Sequence, residues 1–338
     1  MIIQLESEIT QDKKNAIVEK INQLKYKTTE VNTQKGNYLI GIGKAEIDIR
    51  QIGLLPGIAD IFRVSDDYKL VSRKWKVKPT IIDLGDGICI EEGAMAIMTG
   101  PCSIEGEEQI KSTLQHLVDN EVKIMRGGVY KPRSSPYSFR GMGIDGLKLW
   151  HKMAREAGVK IITEVMQVSQ IEEMYDYVDI FQVGARNTQN FNLLDELGKV
   201  DKAVMIKRGI SGTIEELLYS AEYVFSGGNE KLILCERGIR TYEKATRNTL
   251  DLNAVPILKE KTHLPVVVDP SHGIGIRHHV EPMTLAAVMA GADGIIYESH
   301  HQPEKAFSDG QQTLNYKESA ELIKKIRQAY QLRESFNL

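Results

Sequence analysis

A cationic loop is the stretch of this sequence whose residue types point most directly to chemistry. Residues 124–141, IMRGGVYKPRSSPYSFRG, carry Arg126, Lys131, Arg133 and Arg140 with no acidic residue among them. Two prolines restrict the backbone of the loop. Guanidinium and ammonium groups held together without counter-charges match the oxygens of phosphates and carboxylates. The loop therefore predicts a local site for an anionic ligand.

Further charged residues follow short apolar runs in the rest of the chain. An isolated charge in such a place is commonly solvated, and surface salt bridges to Glu164 or Glu236 would explain any one of the cations but fit the whole set poorly. If most of them face one cavity, their mutual repulsion requires anionic ligands, so the pattern predicts a site for more than one anion. The cationic set consists of Arg126, Lys131, Arg133, Arg186, Lys207, Arg208 and Arg237.

Four other residues could together hold a metal ion. They are Cys102, His272, Glu298 and Asp309. One thiolate, one imidazole and two carboxylates suit a borderline divalent ion such as Mn, Fe, Co or Zn, with a position left for water or substrate. Spacing alone does not establish the site, because a single cysteine is commonly a small buried apolar residue and a single histidine a packing residue. The prediction depends on the four side chains gathering in one place.

The elements that must position these residues form two units. Residues 1–65 follow a βαββαβ pattern, as in ferredoxin-like domains, and the polar, charged segment 66–78 is typical of a linker. Residues 79–338 begin with a hairpin and continue with apolar runs that alternate with amphipathic helical stretches, which predicts a (β/α)8 barrel. The eight runs are MAIMTGPCS, VKIMRGG, KIITEV, IFQVGARN, AVMIKRG, LILCERG, PVVVDPSH and GIIYESH.

Barrel geometry gives the charged residues a common location. The active site of such a barrel lies at the carboxyl ends of its strands, and each apolar run ends in or just before one of the charged or ligating residues. We therefore expect the cationic set and the four metal candidates to meet at one mouth.

Composition excludes several other classes of function. The 338 residues carry a formal net charge of −3, so no global field favours nucleic acid or an anionic membrane. No apolar run approaches the length of a membrane span, and the first residues, MIIQLESEIT, are too polar for a signal peptide. The three cysteines are widely separated, which argues against a disulfide framework. We expect a cytoplasmic protein without nucleic-acid or membrane partners.

Several motifs then resemble one enzyme family. They are TGPCS (99–103), RGGVYKPRSSPYSFRG (126–141), VGARN (183–187), IKRG (206–209), CERGIRTYEKATRNTLD (235–251), VDPSH (268–272) and SDGQQ (308–312). Together they resemble 3-deoxy-D-arabino-heptulosonate 7-phosphate (DAHP) synthases of the type I beta group, and residues 1–65 resemble the ferredoxin-like regulatory domain of some members. The resemblance covers the whole predicted barrel in order.

The resemblance implies a reaction and residue roles. The reaction is the metal-dependent condensation of phosphoenolpyruvate with erythrose 4-phosphate, the first step of the shikimate pathway. By similarity, Cys102, His272, Glu298 and Asp309 hold the metal. Phosphoenolpyruvate is bound by Arg126, Lys131, Arg186, Lys207 and Arg237.

The remaining roles are also implied by the family. Arg133 and Ser134 receive the phosphate of erythrose 4-phosphate, Lys131 is a candidate proton donor to its aldehyde oxygen, and Glu164 is a candidate for handling water. The N-terminal domain implies feedback inhibition by tyrosine or phenylalanine at an interface between subunits, and the family suggests a homotetramer. The domain could instead be a constitutive oligomerisation or stability module.

Two rival functions remain open at the sequence level. A 3-deoxy-D-manno-octulosonate 8-phosphate synthase shares the fold but typically has an alanine and asparagine pair after the loop lysine, where this chain has Lys131-Pro132-Arg133. A non-catalytic phosphometabolite sensor would be expected to lose a metal ligand or Lys131, and none is lost. Ile276 stands where relatives often carry a basic residue, which removes no proposed ligand.

Overall fold

The computed structural model describes residues 1–44, 47–132 and 137–336. Its N-terminal elements are β1 (Ile2–Leu5), α1 (Gln11–Gln23), β2 (Lys27–Asn32), β3 (Asn37–Ile42), α2 (Arg50–Gly53) and β4 (Ile58–Phe62). The four strands form one sheet in the order β2-β3-β1-β4, and neighbouring strands are antiparallel. This confirms the predicted βαββαβ pattern and the ferredoxin-like topology.

Successive residues of β1 point to opposite faces of this sheet. Ile3 and Leu5 pack with Ile17 and Ile21 of α1 in a small core of their own. Ile2, in contrast, belongs to the large core that continues into the rest of the chain. The sheet therefore buries both faces, one of them against its own helices.

The segment predicted as a linker is packed against both units. Leu70 and Val71 are fully buried, and Trp75 contacts Tyr38 of β3 with ring centroids 5.4 Å apart. The indole Nε1 donates to the carbonyl of Leu70 at 2.8 Å. The apolar residues of the segment thus join the sheet to the barrel, while its charged residues stay near the surface.

A short hairpin, β5 (Ile82–Asp83) and β6 (Cys89–Ile90), precedes the barrel. Ile82 and Ile90 pack with residues from the barrel interior, including Met98 and Ile162. Asp86 at the hairpin turn accepts from the Nζ of Lys160, the first residue of a barrel strand, at 2.7 Å. The hairpin therefore closes the amino-terminal end of the barrel, opposite the predicted mouth.

All eight predicted apolar runs are strands of a closed parallel barrel, so the predicted barrel fold is confirmed. The strands are β7 (Ala96–Gly100), β8 (Ile124–Arg126), β9 (Lys160–Val165), β10 (Ile180–Val183), β11 (Ala203–Lys207), β12 (Leu232–Glu236), β13 (Val266–Val268) and β14 (Gly294–Glu298). The helices are α3 (Glu107–Asp119), α4 (Gly143–Glu156), α5 (Ser169–Met174), α6 (Phe191–Leu197), α7 (Ile214–Ser226), α8 (Ala254–Lys261), α9 (Pro270–Ile274), α10 (Arg277–Met289) and α11 (Tyr316–Ser335).

Closure of the barrel decides which loops become neighbours. The last strand, β14, pairs with the first, β7, and Glu298 lies opposite Gly100. Residues nearly 200 positions apart in sequence therefore meet at the carboxyl ends of the strands. Among the described residues, the helices include none with both the length and the apolar character needed to cross a bilayer.

Candidate active site

Three of the four metal candidates form one cluster. Cys102 follows β7, Glu298 ends β14, and Asp309 lies in the loop after β14. One ligand atom of each lies within 4.8 Å of the other two. The Sγ of Cys102 is 3.1 Å from Oδ2 of Asp309 and 3.0 Å from the hydroxyl of Ser308.

His272 lies beside this cluster and is oriented by a short helix. Asp269 caps the amino end of α9, where its carboxylate accepts from the backbone N–H of His272 at 3.0 Å. The same carboxylate lies 2.8 Å from Nδ1 of the His272 ring. Since Asp269 is an acceptor, Nδ1 carries the proton and the lone pair of Nε2 faces Glu298, whose Oε1 is 3.5 Å away. His272 thus approaches the cluster through Glu298.

The electrostatics of the cluster fit a cation. Burial and the nearby Glu298 carboxylate raise the pKa of the Cys102 thiol to about 12. Burial acts to raise the pKa of Asp309 as well, but His272, Arg247, Cys102 and Lys131 together outweigh it and lower that pKa to about 2. Beside the cluster, the lone pair of His272 Nε2 and the carboxylate of Glu298 lie 3.5 Å apart, and both are acceptors. A divalent ion between them would satisfy both and would favour the thiolate, so the donor set fits the predicted metal.

A cavity lined by seven cationic side chains adjoins the cluster. It reaches the metal candidates at His272 and Asp309 and contains Glu164 as its other carboxylate. The cationic residues that line it are Arg126, Lys131, Arg186, Lys207, Arg237, Arg240 and Arg247. The five residues expected to bind phosphoenolpyruvate are therefore brought together in one cavity.

The cations differ in how their charge is compensated. Arg126 is buried and its guanidinium lies 3.1 Å from Glu298. Lys207 is buried against Asp269. Arg237 is only 7% exposed, yet among the described residues its guanidinium contacts the carbonyl of Gly238 and no carboxylate. Burial lowers the pKa of Arg237 from its ordinary value, and the nearby Asp269 carboxylate, which acts to raise that pKa, only partly offsets the effect.

Lys131 connects the cationic cavity to the metal candidates. Its Nζ lies 3.1 Å from Sγ of Cys102 and 3.0 Å from the carbonyl oxygen of the same residue. Gly128 makes room for this side chain, because a Cβ there would stand 2.8 Å from Cδ of Lys131. The ammonium group of Lys131 therefore lies between the cluster and the cavity, in contact with Cys102 and on the cavity wall.

Arg208 does not line the cavity, so its inclusion in the cationic set was wrong. Its guanidinium lies 2.9 Å from Glu236 and 2.8 Å from Asp251, with the carbonyl of Gly212 as a further acceptor. Successive residues at a strand end point in opposite directions, so Lys207 faces the cavity while Arg208 points away. Arg133 and Ser134 lie outside the described residues.

Sequence reasoning missed Arg240 and Arg247, which enter the cavity from the loop after β12. Arg247 lies 3.2 Å from Asp309 and 3.0 Å from the amide oxygen of Gln312, whose amide nitrogen donates to Glu298 at 2.8 Å. The signal was present, since both arginines fall in the motif at 235–251. The expectation that functional residues lie at the ends of the strands did not identify them, because both lie in the loop beyond the end of β12.

Comparison with known proteins relates the barrel to one family. The profile of the DAHP synthetase I family matches residues 79–334. A phospho-2-dehydro-3-deoxyheptonate aldolase of Thermotoga maritima is 49% identical over 270 residues, covering 80% of this chain and 80% of that protein. A 2-dehydro-3-deoxyphosphooctonate aldolase of Geobacter sulfurreducens is 29% identical over 252 residues, covering 69% of this chain and 91% of that protein.

A solved structure extends the similarity to the N-terminal sheet. The crystal structure of a Thermotoga maritima phospho-2-dehydro-3-deoxyheptonate aldolase (DAHP synthase) has a TM-score of 0.79 and 42% identity, and the match covers 100% of this chain and 98% of that one. A truncated form of the enzyme from the same organism matches with a TM-score of 0.74 and 45% identity over 81% of this chain and 99% of that one. The chain therefore belongs to the DAHP synthetase I family.

Proposed function

We propose that this chain, an enzyme of the DAHP synthetase I family, condenses phosphoenolpyruvate with erythrose 4-phosphate and water to give DAHP and phosphate. The observation that carries the proposal is one cavity in which a thiol, an imidazole and carboxylates adjoin seven cationic side chains. Such a cavity has the charge to hold two phosphorylated reactants and the ligands to hold a cation beside them.

The cationic side of the cavity suits phosphoenolpyruvate. Arg126, Lys131, Arg186, Lys207 and Arg237 supply donors for one phosphate and one carboxylate. Among these five residues, Arg237 gives the strongest argument for anion binding, because its buried guanidinium has no carboxylate partner of its own among the described residues. Binding the anion would supply the missing counter-charge and hold the reacting carbon in place.

Cys102, His272, Glu298 and Asp309 would hold the divalent metal. When bound there, the ion supplies a Lewis acid for the aldehyde oxygen of the sugar phosphate. Asp269 keeps the Nε2 lone pair of His272 directed at the cluster through its contact with Nδ1. Gln312 holds the carboxylate of Glu298 by donating to Oε2 at 2.8 Å.

We assign the movement of protons to two residues of the chain. As a bond forms between C3 of phosphoenolpyruvate and the aldehyde carbon, the aldehyde oxygen gains a proton, for which Lys131 is the candidate donor because it lies beside the cluster. Water then adds at C2, and cleavage of the bond from C2 to the phosphate oxygen releases phosphate. Glu164 is the candidate that accepts the proton of this water, since it lines the cavity and its carboxylate has no hydrogen-bond partner among the described residues.

The phosphate of erythrose 4-phosphate is assigned by family resemblance to Arg133 and Ser134. Pro132, the residue before them, lines the cavity, which supports a role for the loop at the cavity mouth. Arg240 and Arg247 offer further cations for this second phosphate. Because Lys131-Pro132-Arg133 departs from the pattern typical of octulosonate 8-phosphate synthases, the four-carbon sugar is favoured over arabinose 5-phosphate.

For the remainder of the chain we keep the family's organisation as part of the proposal. Residues 1–65 would act as a regulatory domain that binds tyrosine or phenylalanine between subunits of a homotetramer, residues 66–78 as its linker and residues 79–338 as the catalytic barrel. The antiparallel sheet of β1–β4, which is separate from the barrel sheet, supports a distinct N-terminal unit.

One assay tests the proposal. The purified full chain is offered phosphoenolpyruvate with either erythrose 4-phosphate or arabinose 5-phosphate, with and without a chelator, and phosphate release is followed. We expect release with erythrose 4-phosphate that the chelator abolishes and added divalent ion restores. Faster release with arabinose 5-phosphate would favour the octulosonate rival, and no release with either sugar would favour a sensor.

A further inference from the structure

Glu105 is a partly buried carboxylate outside the cavity, in the segment between Cys102 and α3. Its side chain is 10% exposed, and no role was expected for it from the sequence. It contacts Ser103 in its own segment, and Phe307 and His300 in the loop after β14. These three residues lie close in sequence to Cys102, Asp309 and Glu298, respectively.

The first two contacts share one oxygen. Oε1 of Glu105 accepts from the hydroxyl of Ser103 at 3.0 Å and from the backbone N–H of Phe307 at 2.8 Å. Ser103 adjoins Cys102 in the chain, and Phe307 lies two residues before Asp309. One carboxylate oxygen therefore ties the segment of the thiol to the loop of the carboxylate.

The third contact joins the end of the last barrel strand. Oε2 of Glu105 lies 3.4 Å from Nε2 of His300, two residues after Glu298. Nδ1 of His300 accepts from the backbone N–H of Gln302 at 2.9 Å, so Nε2 carries the proton and points at Glu105. His300 is buried, and its Nε2 makes no hydrogen bond among the described residues, so its contact with Oε2 of Glu105 is a polar contact at 3.4 Å and not a hydrogen bond.

The loop that carries Asp309 needs such support. Asp309 has a φ of +53°, in the left-handed region that costs energy for a residue other than glycine. A conformation of this kind persists only when surrounding contacts hold it. The contact of Glu105 with the backbone of Phe307 restrains the loop from the side of Cys102.

We propose that Glu105 is a positioning residue. It holds the parts of the chain that carry Cys102, Glu298 and Asp309 at fixed positions relative to one another, as metal binding requires. It does not touch the ion or the substrates. Its contribution is to fix the distances between Cys102, Glu298 and Asp309 before the ion binds, so that ion binding does not have to order the loop. The inference rests on the metal centre of the proposed function.

The test measures binding of Co²⁺ alone to the full-length, metal-stripped chain, with no substrate present. A cobalt–thiolate bond gives a charge-transfer absorption band, which reports whether Cys102 is a ligand independently of turnover. Outer residues that orient metal ligands commonly contribute about 10- to 100-fold to metal affinity, and we expect a loss in this range for Glu105→Ala, with a weaker or shifted band. Glu105→Gln keeps an acceptor for Ser103 and Phe307 and should lose less.

Glu107→Ala is the matched control, because it removes an exposed carboxylate two residues away, in the first turn of α3. It should bind Co²⁺ like the unchanged chain. Wild-type affinity and an unaltered band in a folded Glu105→Ala chain would overturn the proposal. If Glu105→Ala does not fold, as judged by circular dichroism, Glu105→Gln decides, and unchanged affinity in that variant overturns the proposal.

Failure of the metal centre itself gives a different result. An unchanged chain that binds no Co²⁺, or that shows the same band after Cys102→Ser, would remove the proposed centre and the role of Glu105 with it. If the wild-type chain binds Co²⁺ through Cys102, and Glu105→Ala has the same Co²⁺ affinity and absorption band, the metal centre stands and only the role of Glu105 is refuted.

Discussion

Gly184 lies so close to Glu164 that a Cβ at position 184 would stand 2.0 Å from Oε1 of the carboxylate. Gly184 follows β10 and Glu164 lies on the neighbouring strand β9, so the missing side chain leaves the space that Glu164 occupies in the cavity. No real Cβ is found at such a distance, so any larger residue at position 184 must displace the carboxylate. The glycine therefore makes the position of Glu164 possible.

We expect Gly184→Ala to lower kcat by about tenfold or more, equivalent to at least about 1.4 kcal/mol of transition-state stabilisation, if Glu164 handles the attacking water. Gly209→Ala is the control, because a Cβ there would make only ordinary contacts, at 3.6 Å or more. Phosphate release and thermal unfolding should be measured on both variants. Normal turnover by Gly184→Ala would contradict the assignment of Glu164.

Arg237 and Arg126 should respond differently to loss of charge. Arg237 is buried without a carboxylate partner among the described residues, so Arg237→Met should leave the free energy of unfolding unchanged or raise it. The same change should raise the KM for phosphoenolpyruvate by about 10- to 100-fold, since a charge-assisted contact is lost.

Arg126→Met supplies the contrasting case. It leaves the buried Glu298 without the guanidinium that lies 3.1 Å away, and should destabilise the metal-free chain by about 3–5 kcal/mol. Urea unfolding of both variants checks the difference. Equal destabilisation by the two changes would show that Arg237 is compensated in the free protein.

Cys102→Ala should abolish metal-dependent turnover, because it removes the thiol from the cluster. Metal content and phosphate release should fall together. Cys89→Ala is the control, since Cys89 lies on β6 in the hairpin at the opposite end of the barrel. Full activity with stoichiometric metal in Cys102→Ala would remove Cys102 from the ligand set.

His263 should make stability depend on pH. It is buried between the linker and the barrel, where one ring nitrogen lies 2.7 Å from the hydroxyl of Thr80 and the other 2.9 Å from the carbonyl of Leu70. Burial lowers its pKa from 6.5 to about 3. The folded chain therefore resists protonation, while the unfolded chain takes up a proton below its own pKa.

The free energy of unfolding should therefore decrease as the pH falls from about 6.5 towards 3. Above this pH range, His263 should not change the stability. Between pH 7 and pH 5.5 this residue alone should cost about 1 kcal/mol. Urea unfolding at the two pH values should show a smaller difference for His263→Gln than for the unchanged chain. His278→Gln, at an exposed histidine, should retain the full difference.

Deletion of residues 1–65 should leave a catalytic barrel that tyrosine and phenylalanine no longer inhibit. The barrel sheet closes without any N-terminal strand, which is the reason to expect that it folds. Inhibition of phosphate release by each amino acid should be compared in the full and truncated chains. Inhibition that persists after truncation would place the effector site in the barrel.

Much of the fold could be predicted because its signals are local. Eight apolar runs separated by amphipathic stretches indicated the barrel, and every run is a strand. The carboxyl ends of parallel strands share one face, so the gathering of Cys102, Glu298, Lys207 and Arg237 followed from the fold class. The resemblance then gave these residues roles that spacing could not.

The direction and partners of each side chain were decided by tertiary structure. Arg208 follows Lys207 in sequence but pairs with Glu236 and Asp251 outside the cavity, because neighbouring residues of an extended segment face opposite ways. Arg247 enters the cavity from a long loop, and Glu105 joins the segment after β7 to the loop after β14, where Phe307 lies 202 positions away in sequence. The sequence alone determined which chemical groups the strands deliver to the mouth. Contacts between segments that are distant in sequence decide which of these groups are neutralised, which are held in place and which remain to bind a ligand. Such contacts exist only once the barrel has closed.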